Sequence, residues 1–210
     1  LSTAIKIFNN SYKKEFLHEL VSSQLDMDRL DYLNRDSFYT GVNEGVIGVD
    51  RIIKLLNVHN DELVVDEKGI YSIEKFLVAR RIMYWQVYLH KTVVAAEFLI
   101  INILKKAKEL VQSGENLFCT DALKLFLQNN FTLKDFKTNS NLLKYFAELD
   151  DYDVFTCAKQ WCNHPDKTLS TLCGWMINRK LYKIKVISDK FSDSTIKKYR
   201  QKTMKEFNIS

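Results

Sequence analysis

Residues 22–36 read Ser22-Ser-Gln-Leu-Asp-Met-Asp-Arg-Leu-Asp-Tyr-Leu-Asn-Arg-Asp36, and this stretch decides how the chain is read. At about 100° per residue, a helix through it gathers Asp28, Tyr32, Arg35 and Asp36 in one quadrant. Arg29 lies at the edge of that quadrant, and Leu30 and Leu33 turn toward a core. One face then offers carboxylates, guanidinium groups and a phenol, a set suited to holding a divalent cation through oxygen and a phosphate through the fork of Arg29. The same spacing also fits a solvated helix face, with Asp31 and Arg35 as an i,i+4 pair and the early aspartates favoured by the helix N-terminus. A calcium-loop reading of Asp26-Met27-Asp28 fails. That loop needs an oxygen ligand at its fifth position and glycine at its sixth, where Leu30 and Asp31 stand.

The stretch resembles the last metal-binding motif of the HD-superfamily phosphohydrolases, most closely the deoxynucleoside triphosphate triphosphohydrolases and their bacterial relatives. In that family a histidine, a later adjacent His-Asp pair and a final aspartate ligate a divalent metal, which activates water for attack on phosphorus. The resemblance implies that Asp28 is the final aspartate, both metal ligand and catalytic residue. It further implies that Arg29 contacts substrate phosphate and that Tyr32 and Asp36 stand near the sugar.

A second stretch extends the resemblance, Ala79-Arg-Arg-Ile-Met-Tyr-Trp-Gln-Val-Tyr-Leu-His-Lys91. On an uninterrupted helix Arg80, Tyr84, Tyr88 and Lys91 fall within about 80° of one another, giving two cations and two aromatic rings along one stripe. By itself the pattern also fits an amphipathic helix with tyrosines at its rim and their hydroxyls wet. The resemblance implies that Arg80 reaches phosphate and that Tyr88 lies beside sugar and base. Tyr84 stands where some of these enzymes carry a histidine and Leu89 where they carry a polar residue, so base contacts and proton-transfer roles do not carry over.

The histidines are His18, His59, His90 and His164, and none precedes an aspartate. The upstream histidine and the His-Asp pair of the family are therefore missing, and one carboxylate cannot fix a catalytic ion and its water. The expectation is a piece of a longer enzyme, since Leu1 is not an initiator methionine and the motif starts abruptly, rather than a relative that has lost catalysis. The function expected of the parent is metal-dependent hydrolysis of a nucleotide, a (deoxy)nucleoside triphosphate, with Mn, Fe, Mg, Co, Ni and Zn not distinguished. This chain alone is expected to bind no metal and to be inactive. The expected partners are the nucleotide, the missing N-terminal part of the same protein and a homo-oligomer. The alternative is a non-catalytic nucleotide- or nucleic-acid-binding regulatory module.

Composition points the same way. Six glycines and one proline in 210 residues favour long helices over a many-turned sandwich. A net charge of +5 suits anionic ligands without establishing nucleic-acid binding. The most apolar segment, 92–104, contains Glu97 and Asn102 and is too short to span a bilayer. With no signal peptide read, a cytoplasmic protein is expected. Cys119, Cys157, Cys162 and Cys173 lack Cys-x-x-Cys spacing and read as packed, reduced thiols. A zinc site from Cys157, Cys162, His164 and Cys173 is disfavoured, because its spacing matches no usual module.

The expected fold is mainly α: the later part of an HD-type helical domain over 1–115, with a small β-hairpin, and a mostly helical C-terminal lobe over 116–210. Helix is expected before the motif, with Ser22 or Ser23 capping the motif helix. A hairpin is expected around Glu67-Lys68, one long helix from about Ser72 to Leu110, and a strand over 183–187.

Overall fold

The computed structural model describes residues 1–184 and 190–207. The fold is mainly helical, and the chain divides into two compact units, Leu1–Val94 and the residues from Ala95 onward. Elements run in the order α1 (Ser2–Phe8), α2 (Phe16–Glu19), α3 (Met27–Thr40), α4 (Val49–Leu55), β1 (Leu56–His59), β2 (Glu62–Val65) and α5 (Ile70–Met83). A π-helical turn, Tyr84–Tyr88, follows α5, and then come α6 (Lys91–Gln112), α7 (Asp121–Gln128), α8 (Leu133–Thr138), α9 (Ser140–Glu148), α10 (Asp151–Trp161), α11 (Lys167–Ile177) and α12 (Asp193–Phe207). Among the described residues no single helix is long and apolar enough to cross a membrane.

In the first unit α3 and α5 pack together through Leu30, Leu33, Phe76, Ala79 and Met83, with Ile47 and Ile52 completing the buried cluster. Each of the leucine, isoleucine, phenylalanine and methionine side chains contributes about 1.5–3 kcal/mol by leaving water. The helix start differs from expectation: Asp26, not Ser22 or Ser23, is the N-cap of α3, its carboxylate accepting the Arg29 backbone N–H at 2.8 Å. Asp is as good a cap as Ser, and it stands immediately before the first helical residue. The expected helix ahead of the motif is two short ones, because Asn10 adopts a left-handed φ of 51° just past the end of α1.

The hairpin lies earlier than predicted. Leu56 pairs with Val65 and His59 with Glu62 in an antiparallel ladder, and the turn is Asn60-Asp61, both left-handed at φ 51° and 65°. Consecutive positive φ values define the two-residue turn whose twist matches paired strands, whereas Glu67–Gly69 forms a 3-10 turn. The hairpin is tied to α2, as Asp61 accepts the Glu15 N–H at 2.8 Å and Glu19 accepts that of Leu63 at 2.6 Å.

The single long helix expected from Ser72 to Leu110 is interrupted. The Leu89 N–H reaches back to the Tyr84 carbonyl at 2.7 Å, a five-residue spacing that widens the turn and ends α5. His90, left in the break, accepts the Thr92 N–H on Nδ1 at 3.3 Å.

The second unit has its own core. Leu99, Ile103 and Ala107 of α6 are buried with Leu123, Leu127, Cys157, Trp161, Leu169 and Cys173. The Trp161 indole donates to the Phe118 carbonyl at 2.8 Å, satisfying the polar tip of a side chain that is otherwise fully buried. All four cysteines are free, Cys157 and Cys173 buried and Cys119 and Cys162 half-buried. The strand expected over 183–187 falls for the most part outside the described residues.

Candidate functional site

Helix α3 has three faces. Leu30, Leu33 and Ser37 are buried toward α5. A second face carries Asp31 and Arg35, whose guanidinium forms a two-pronged pair with the carboxylate at 2.8–3.0 Å, both side chains exposed. Arg35 is thereby engaged away from the third face, which presents Arg29, Tyr32 and Asp36. The first turn adds Asp28, which is exposed.

Opposite that third face stand residues of α5 and the π turn. The Tyr88 hydroxyl donates to Asp36 Oδ2 at 2.5 Å. The Tyr88 ring meets Tyr32 edge to face at 5.9 Å and Tyr84 at 5.2 Å between centroids. Arg80 lies over the Tyr84 ring at 5.9 Å. Two stretches of sequence some fifty residues apart thus form one cluster of three phenols, two guanidinium groups and a carboxylate. Lys91 is not on this stripe in the way an unbroken helix would place it. It is exposed at the start of α6, beyond the π turn.

The arginines are held rather than loose. Nη1 of Arg29 donates to the Asp26 carboxylate and to the Ser23 carbonyl. Nη1 of Arg80 donates to Gln24 Oε1 at 2.8 Å. Burial, then the Asp36 hydrogen bond and charge, push the Tyr88 phenol well above its usual range, so it remains a donor at neutral pH. Tyr32 is also raised, by burial and by Tyr84, while Arg80 and Arg29 pull in the opposite direction. Both cations therefore act on one phenol. Such a surface can neutralise an anion and flank a ring with aromatic edges.

Asp28 alone does not make a metal centre. Among the described residues no group of three or more His, Cys, Asp or Glu side chains could hold an ion, so the residues present do not fit one by themselves. A groove of about 590 Å³ lies along the opposite side of α3, lined by Asp31, Arg35, Phe38, Tyr39 and Ile53 among others. It shares no lining residue with the cluster. The sequence singled out nothing at Gln24, and it offered Asp26 as an early aspartate favoured by the helix N-terminus and as part of a failed calcium loop, but not as the cap. Aspartate directly before a periodic apolar run was the available signal for the cap, while nothing marked Gln24.

The family described as the HD associated region matches residues 47–127, which include Arg80, Tyr84 and Tyr88. The crystal structure of a phosphohydrolase from Bacteroides thetaiotaomicron is 53% identical and superposes with a TM-score of 0.97, over 100% of this chain and 52% of that one. The uncharacterised protein YwfO of Bacillus subtilis is 32% identical over 179 residues, 84% of this chain and 39% of that protein. The deoxynucleoside triphosphate triphosphohydrolase SAMHD1 homologue of Dictyostelium discoideum is 26% identical over 120 residues, 56% of this chain and 23% of that protein. The chain spans about half, or less, of the length of these proteins. With the α3 motif and the helical fold that carries it, these likenesses lead to one conclusion: the chain carries the HD associated region and the fold of the corresponding part of an HD-superfamily phosphohydrolase.

Proposed function

We infer that this chain supplies the substrate-holding part of a phosphohydrolase that acts on a nucleotide, a (deoxy)nucleoside triphosphate. The observation that carries the reading is the meeting of Arg29, Tyr32 and Asp36 with Arg80, Tyr84 and Tyr88 on facing helices. In this reading Arg29 and Arg80 donate charge-assisted bonds to phosphate, and Arg80 offsets charge that redistributes as the phosphoester breaks. Tyr88, a neutral phenol held by Asp36, and Tyr32 bound the space for the sugar. Tyr84 offers an aromatic edge beside Arg80. Asp28 is the one metal ligand this chain would supply in a longer protein, with the remaining ligands lying outside it.

The test is calorimetric binding of a deoxynucleoside triphosphate and of the matching nucleoside, to wild type and to Arg29→Ala and Arg80→Ala. Each alanine is expected to cost about 1.5–3 kcal/mol per charged hydrogen bond for the triphosphate, with little change for the nucleoside. Arg80→Lys should also weaken triphosphate binding, because an ammonium does not reproduce the planar fork. Equal weakening of both ligands would make the arginines structural. No change for either would place them outside the site.

A further inference from the structure

We propose that the segment Ser23–Asp26 is a positioning device that presets both arginines for phosphate, an inference that rests on the reading just given. Three residues of this four-residue segment reach the two cations, although these belong to different helices. Gln24 holds Arg80 through its side-chain oxygen at 2.8 Å. The Ser23 carbonyl and the Asp26 carboxylate hold Arg29. Asp26 is 3% exposed, and the same carboxylate caps α3 by accepting the Arg29 backbone N–H at 2.8 Å. Backbone and side chain of one arginine are therefore fixed by one buried group.

The two restraints differ in charge. Asp26 offsets the charge of Arg29, leaving it an oriented fork of donors on a locally neutral pair. Gln24 is neutral, so Arg80 keeps its full charge. Arg29 then supplies direction and Arg80 supplies long-range attraction. Neither Gln24 nor Asp26 touches phosphate in this arrangement. Their contribution is to remove the cost of ordering a rotamer-rich side chain at the moment of binding.

The probe is inorganic tripolyphosphate, titrated calorimetrically into the 210-residue chain at high salt, where the Debye length falls to a few ångströms and distant charge counts little. Gln24 is exposed, so Gln24→Leu should leave the thermal unfolding unchanged. It is expected to weaken binding by about two- to twelvefold, the range for one newly mobile side chain. In an Arg80→Ala background it should add nothing. An undiminished effect there would show that Gln24 does not act through Arg80, and would overturn the proposal.

Asp26→Asn keeps a capping side chain and sharpens the test, because charge and positioning predict opposite signs. Losing a negative charge beside the site should tighten binding, whereas losing the hold on Arg29 should weaken it. Weakening that vanishes in Arg29→Ala supports the device, and tightening removes Asp26 from it. Should Asp26→Asn fail to fold, the Gln24 cycle decides alone. A wild-type chain that takes up no tripolyphosphate overturns the proposed function and this inference together. Loss in Arg29→Ala and Arg80→Ala with Gln24→Leu and Asp26→Asn unchanged leaves the function standing and removes the device.

Discussion

Tyr88 and Asp36 bind each other at 2.5 Å, and the pair is partly withdrawn from water. A phenol donating to a carboxylate is stronger than a neutral pair, but partial exposure reduces its net value, so Tyr88→Phe should lower stability by about 1 kcal/mol. The phenol also sets a pH dependence. Its folded pKa is raised, so its stabilising contribution is complete below the ordinary tyrosine value near 10 and is lost as pH climbs above it. The thiols of Cys119 and Cys173 carry the same sign and act earlier. Burial and the neighbouring Cys157 push Cys119 up to about 11, and burial and Cys162 push Cys173 up to about 12, from an ordinary thiol value of 9.0. Urea unfolding at a series of pH values should show stability constant at neutral pH and declining from about pH 9. Tyr88→Phe should keep that first decline and soften the part above about pH 10. A flat profile through that window would mean the thiols are solvated.

Among the elements, α3 depends on two glycines in different ways. Gly41 ends the helix in a left-handed conformation, φ 71°, its N–H bonded to the Ser37 carbonyl, and a Cβ added there would meet nothing within 4 Å. Gly41→Ala should cost about 1–2 kcal/mol from backbone strain alone and leave phosphate binding intact. Gly45 is a matter of space. A Cβ there would lie 2.6 Å from Met83 Sδ on α5 and 3.0 Å from Ser37 Cβ on α3, wedging apart the two helices that carry the site. Gly45→Ala should therefore lower both thermal stability and triphosphate affinity, and comparing the two variants by melting and calorimetry separates strain from displacement. The face of α3 was legible because period 3.6 brings Arg29, Tyr32 and Asp36 together whatever the tertiary structure does. The π turn was not, since nothing in Tyr84-Trp-Gln-Val-Tyr88 breaks helical propensity and only tertiary packing selects a wider turn. The hairpin was misplaced for a related reason. Leu55-Leu56 continues the apolar pattern of α4, and the left-handed tolerance of Asn60-Asp61 was outweighed by a glycine at 69 that serves a different turn.

At the scale of the molecule, the cluster proposed to hold phosphate joins α3 to α5 and the π turn, while Asp28 is exposed in the first turn of α3 without two further ligands among the described residues. An ion held by one carboxylate keeps its water shell and fixes no nucleophile. The 210-residue chain should therefore show no turnover on a nucleotide panel with manganese, iron, cobalt or magnesium, even where it binds the triphosphate. Turnover by this chain that disappears in Asp28→Ala would overturn the account of an incomplete centre. In a longer form matching the full length of the relatives, Asp28→Ala should remove metal and activity together. The fold should survive, because an exposed carboxylate in a metal site contributes little to the core. Metal content and circular dichroism on the same preparation decide between these outcomes. Retained metal and rate would exclude Asp28 as a ligand, whereas a lost fold would show that the first turn of α3 depends on its second residue as well as on its Asp26 cap.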